Sequence, residues 1–150
     1  MKCGDIILVK NNKFISKLIK WWTKSEYSHS AIAIDELHMY ETNYNTKAHI
    51  KHSDYPRDMY DVYRLNPEIK LDTERLKKFM LKNIGNDYDF GEILKIVFKK
   101  NTKDDDGDYI CSMLVRDAFL EQGIDLTPGI EIPSPEDLKR SKLLYKVENE

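Results

Sequence analysis

The segment between residues 29 and 65 constrains the fold most. Four short runs there read as strands: HSAIAI (29–34) and LHMYET (37–42), whose alternate residues make two unlike faces, then KAHIK (47–51) and MYDVYRL (59–65). A period of two is the signature of strands with two unlike faces. Asp35-Glu36 is the whole connection between the first two runs, short enough for a tight hairpin. Short connections join antiparallel neighbours, so the middle of the chain reads as an antiparallel sheet. The earlier run DIILV (5–9) is apolar from Ile6 to Val9 and reads as a buried strand.

Helical spacing surrounds these strands. In NNKFISKLIKWWTK (11–24), Phe14, Ile15, Leu18, Ile19 and Trp22 share one face and Lys13, Lys17, Lys20 and Lys24 the other. LDTERLKKFMLKNIG (71–85) opens on a capping Asp72 or Thr73 and reaches Gly85 as its C′ residue. YDFGEILKIVFKK (88–100) is a further helix with lysines in its last turn. YICSMLVRDAFLEQG (109–123) is another long helix, closed by Gly123. SPEDLKR (134–140) has Ser134 as N-cap and Pro135 at the first helical position, and KLLYKV (142–147) reads as a last strand. The expectation is one α+β domain over residues 1–150, an antiparallel sheet packed against helices.

Composition excludes several function classes. A net charge of −2 gives no global attraction to nucleic acid. No apolar run approaches membrane-spanning length, and Asp5 and Lys10 interrupt the start, so no signal peptide is expected. The expected location is the cytoplasm or a phage particle. Cys3 and Cys111 are the two cysteines, and no CxxC pair points to zinc. His38, His49 and His52 lack ligand spacing. The acidic NTKDDDGD (101–108) would place Thr102 and Met113 at the outer ligand positions of a calcium loop, which neither suits. A solvated loop is expected there, with no metal and no cofactor.

The chemistry concentrates on Cys111 and His29. Cys111 falls near the start of a helix, where the dipole and free N–H groups favour thiolate and can hold an oxyanion. His29 opens a strand whose face continues through Ala31 and Ala33. That small-residue face is expected to let the Cys111 helix pack closely, bringing the imidazole to the thiol. A thiolate with an imidazole as base and then acid is the machinery of a cysteine hydrolase. A hairpin turning at Asp35-Glu36 brings Glu41 opposite His29 to orient the ring. One residue of slip would substitute Tyr40 or Thr42. Tyr27 and Tyr109 flank the two segments and are candidate substrate-lining residues, with half-buried packing the alternative for each. Cys3 reads as a small buried hydrophobe, and Asp5 as a turn brace.

The motifs CGDIILV, SEYSHSAIAI, MYET, NDYDFGEI, YICSMLV and IPSPEDL, in this order, resemble the YiiX/YaeF-like branch of the NlpC-type superfamily, the circularly permuted papain-like cysteine hydrolases. The likeness spans roughly residues 3 to 147. Histidine preceding cysteine is the mark of the permutation. The resemblance implies a permuted papain-like fold with Cys111 as nucleophile, His29 as base and Glu41 as orienting group. Met113 departs from it, since relatives often carry Glu there, and this blurs specificity more than catalysis.

The function expected is an amidase or peptidase acting on a peptide or acyl-amide, with cell-wall peptides foremost. A lipid-directed thiol hydrolase or acyltransferase is the runner-up, prompted by the lysine stripe and Trp21-Trp22, a membrane-surface pattern. A solvated helix is the favoured reading of that stripe. A binding module with an idle thiol is the non-enzyme alternative. The sequence does not specify an oligomeric state.

Overall fold

A computed structural model describes residues 1–10, 26–43, 46–85 and 106–148, with no side-chain description for Asn43 and residues 106–110. The lysine-striped helix, the Trp pair, and the helix expected over 88–100 lie outside the described residues.

The strands are β1 (Ile6–Val9), β2 (His29–Ala33), β3 (His38–Asn43), β4 (Thr46–His52), β5 (Tyr60–Leu65) and β6 (Leu144–Val147). The helices are α1 (Thr73–Asn83), α2 (Asp106–Leu120) and α3 (Pro135–Lys139). The six strands form one sheet in the order β4-β3-β2-β1-β5-β6, with antiparallel neighbours throughout. β1 pairs with both β2 and β5, and Ile6, Ile7, Leu8 and Val9 are all buried. An interior strand covered on both faces needs an apolar run rather than alternation, as DIILV supplies. Each such side chain contributes about 1.5–3 kcal/mol of transfer free energy.

The helices cover one face. Ile6, Leu8, Ile32, Tyr40 and Leu65 pack there against Leu76 and Met80 of α1, Leu114, Val115, Ala118 and Phe119 of α2, and Leu138 of α3. The opposite face carries a second cluster of Ile7, Val9, Ala31, Ala33 and Met39, with Met1, Tyr55 and Tyr60 against it. This corrects the expected packing. The Ala31/Ala33 face does not receive the Cys111 helix; α2 sits on the Ile32 face. The long apolar side chains at Ile32 and Tyr40 offer more area to bury than two alanines.

Caps follow the sequence closely. The Asp72 carboxylate accepts the Arg75 amide at 3.0 Å. Ser134 and Asp137 form a reciprocal capping box around Pro135. Gly123, at φ +78°, ends α2 with Gly123 N–H on Leu120 and Ile124 N–H on Phe119, a Schellman closure.

Two boundaries differ from expectation. α2 begins at Asp106, so the end of the expected acidic loop is helical and Cys111 lies in the second turn. By the helical i→i−4 pattern, the Cys111 amide is then directed to a helix carbonyl and is no longer an end group. The β2–β3 connection runs from Ile34 to Leu37, wider than a two-residue turn, with Ile34 N–H bonded to the His38 carbonyl. Asp35 braces it by accepting the Leu37 and His38 amides.

Candidate active site

Edge alternation along β2 explains how thiol and imidazole meet. Ala33 N–H donates to Asp5 on the β1 side, whereas Ile34 N–H donates to His38 on the β3 side. The amide of Ser30 therefore faces β3. The β2–β3 pairing, however, spans Ile32↔Tyr40 and Ala33↔Met39 only. Beyond it the seam opens, next to a register shift between Glu41 and Asn43 on the β4 side. The sulfur of Cys111 occupies that opening and accepts the Ser30 amide at 3.3 Å. The adjacent Ser112 hydroxyl bonds the Ser30 hydroxyl at 3.1 Å, pinning α2 to β2.

His29 and Glu41 project from the face opposite α2. Their side chains meet at 2.8 Å, Nε2 to Oε2. The register Ile32↔Tyr40, extended along the strands, sets Glu41 opposite Ala31 and diagonal to His29. The sequence expectation of direct opposition is thus off by two residues, yet the side chains still join, because Glu41 is long enough to cross the diagonal. Cys111, whose sulfur sits on the amide of the neighbouring Ser30, is close enough for its charge to act on the same imidazole. Cys111 and Glu41 thus both act on one imidazole.

Burial is deep. Cys111 is fully buried, Glu41 is 2% exposed and His29 is 9% exposed. Burial disfavours the charged imidazole, but the charge and hydrogen bond of Cys111, then those of Glu41, outweigh it and raise the His29 pKa from 6.5 to about 10. Burial likewise works against the Glu41 carboxylate, yet the His29 hydrogen bond and the charges of His29, Lys51 and His49 hold its pKa below the ordinary value. Such an arrangement favours the imidazolium form of His29 beside an ionised Glu41 carboxylate.

The Tyr27 hydroxyl donates to Asp61 at 2.6 Å and lies 3.3 Å from the Tyr63 hydroxyl, within the helix-side core. Burial and these bonds push its pKa far up. Its polar atom is committed to β5, which is the half-buried packing alternative. Tyr109 belongs to α2, and its side chain is outside the described residues. Asp5 binds Arg64 through both oxygens, at 2.7 and 2.8 Å, and accepts the Lys2 amide; it braces the turn before β1. Cys3 is half-buried against the core, and burial raises its pKa.

Sequence reasoning missed three features. Ser30 and Ser112 gave no signal beyond adjacency to His29 and Cys111. Asp61 was hidden in a strand, where only its charge at a buried position marked it. His49 and Lys51 on β4 flank the second Glu41 oxygen; pairing the β3 and β4 runs in register would have found them. His38 and His52 face each other across β3 and β4 with ring centroids 5.8 Å apart.

No family model matches the chain, and no curated protein matches it significantly. Among solved structures, the crystal structure of the metalloprotein YiiX from Escherichia coli O157:H7, a DUF1105 protein, is similar. It shares 19% identity, with a TM-score of 0.56, over 99% of this chain and 97% of that one. The chain therefore has a YiiX-like fold. Among the described residues here, no group of three or more His, Cys, Asp or Glu side chains is disposed to hold a metal ion, and no helix is long and apolar enough to cross a membrane.

Proposed function

We propose that this chain is a permuted papain-like cysteine hydrolase that cleaves an amide bond, with cell-wall peptides as the leading substrate class. The observation that carries the reading is the buried relay Glu41–His29–Cys111. The order of motifs and the YiiX-like fold agree with it.

Nε2 of His29 is bound to an ionised Glu41, so that nitrogen carries a proton and the ring's other nitrogen, Nδ1, serves the thiol. The thiol proton passes to Nδ1. The Cys111 sulfur attacks the substrate carbonyl, and a C–S bond forms. The C–N bond then breaks as Nδ1 returns the proton to the departing amine, leaving a thioester. Water, deprotonated by Nδ1, attacks the thioester. The acid product leaves and the thiol is restored. Glu41 holds the ring and stabilises its cationic form at each stage. The Ser30 amide, already donating to sulfur, favours the anionic form of the nucleophile.

The test is a screen of short peptides carrying cell-wall cross-links, following amine release by mass spectrometry. Turnover that Cys111→Ala and His29→Ala abolish supports the proposal. Turnover that survives Cys111→Ala contradicts it.

A further inference from the structure

The Glu41 carboxylate has two oxygens, and the proposed chemistry uses one. Oε2 meets His29 at 2.8 Å. Oε1 is 3.6 Å from Nε2 of His49 and 3.8 Å from Nζ of Lys51. Both partners come from β4, where the register Glu41↔His49 and Met39↔Lys51 puts them on the same face as Glu41. The carboxylate side chain is 2% exposed, whereas His49 and Lys51 are 36% and 28% exposed. A buried carboxylate is thus joined to partly exposed basic side chains on an outer strand.

We propose that His49 and Lys51 are positioning residues of this site, holding the second Glu41 oxygen from β4 so that the first stays aimed at His29. The inference rests on the hydrolase reading only for its catalytic meaning.

The electrostatics follow from the geometry. A carboxylate taken out of water needs compensating charge, and one imidazolium leaves its other oxygen without any. Facing Glu41 are His29 from β2, His49 and Lys51 from β4, and the Tyr55 hydroxyl beyond β4; Cys111 acts through His29. Lys51 is in turn steered by Asp54 at 3.3 Å and by the Tyr55 ring, 4.5 Å from its ammonium. Its charge is thereby fixed over the carboxylate instead of roaming in solvent. His49 donates Nδ1–H to the Lys47 carbonyl at 2.8 Å, so the Nε2–H that can hold Glu41 belongs to its imidazolium form.

The experiment is a carboxyl-carbon NMR titration of the 150-residue chain, with the Glu41 signal assigned by its loss in Glu41→Gln. Lys51→Met should move the Glu41 transition to higher pH, and Lys51→Met with His49→Gln should move it further. Lys51→Arg should restore the wild-type position. A role limited to stability would change the unfolding midpoint and leave the titration in place. Because the two positions are partly exposed, the variants should fold; Lys51→Gln gives a second reading with a polar replacement. An unmoved Glu41 transition in the folded double variant would overturn the inference. The titration reads the carboxylate whether or not any amide is cleaved, so it fails or succeeds separately from the proposed hydrolysis.

Discussion

The Nε2 of His29 is committed to Glu41 at 2.8 Å, which leaves the opposite ring nitrogen for Cys111 in the proposed relay. If Glu41 sets that ring orientation, Glu41→Gln should keep part of the activity, because an amide oxygen still accepts the Nε2 proton. Glu41→Ala leaves the ring free to turn, and a misplacement of this kind costs about 10²-fold in rate. The expected order on any amide substrate is wild type, then Gln, then Ala, with His29→Ala lowest. Equal kcat/KM in wild type, Glu41→Gln and Glu41→Ala would remove Glu41 from the chemistry.

The raised His29 pKa has a stability consequence with a definite sign. The folded value, about 10, exceeds the ordinary 6.5. The folded state therefore binds the proton more tightly, and the resulting stabilisation is complete below pH 6.5 and lost as pH rises toward 10. Urea unfolding of wild type and His29→Gln across this window should show a gap that narrows with rising pH. A gap that widens would mean that the ring is held neutral in the folded protein.

Tyr27 and Asp61 predict a different split. The Tyr27 hydroxyl is bonded to a carboxylate that Lys10 and Lys146 also contact, at 2.9 and 3.0 Å. Tyr27→Phe should cost about 1.5–3 kcal/mol, the range for a hydrogen bond to a charged group, with turnover unchanged. A kinetic defect with normal stability would return Tyr27 to the substrate cleft. Burial opposes the Asp61 charge, but the Tyr27 bond and the two lysines lower its pKa from 3.8 to about 2. Its contribution is present above pH 3.8 and lost as pH falls through about 2. Asp61→Asn should flatten the acid side of the stability profile.

Much of this architecture was legible because it is local. Alternation marked β2 and β3, the apolar run marked β1, and Asp72, Ser134 and Gly123 marked helix ends through their own side chains or backbone freedom. What escaped was set between elements. Both faces of β2 are apolar enough to be buried, so alternation could not say which one α2 would cover. The larger Ile32 and Tyr40 side chains decided it. The three proposed catalytic residues were readable by type and order, whereas the opened β2–β3 seam that lets them meet depends on where a ladder stops. His49 and Lys51 were missed because their relation to Glu41 crosses two strands.

Gly4 is a further position where chain geometry decides. Its φ is +88°, and an added Cβ would come within 2.2 Å of the Leu71 side chain. Leu71 can shift, but the backbone conformation remains unfavourable for an L side chain. Gly4→Ala should cost about 1–3 kcal/mol, measured by chemical denaturation. No loss would mean that β1 can enter the sheet by another path.

The central claim is that His29 activates Cys111, and the two cysteines provide an internal comparison. Cys3 is the more exposed thiol, yet burial raises its pKa and no imidazole serves it. The most direct measurement is the rate of iodoacetamide labelling at each cysteine near neutral pH, site-resolved by mass spectrometry, in wild type and His29→Ala. The account predicts that Cys111 labels faster than Cys3 despite its burial, and that His29→Ala removes the advantage. Labelling of Cys111 no faster than Cys3 in wild type, or unchanged by His29→Ala, would contradict it.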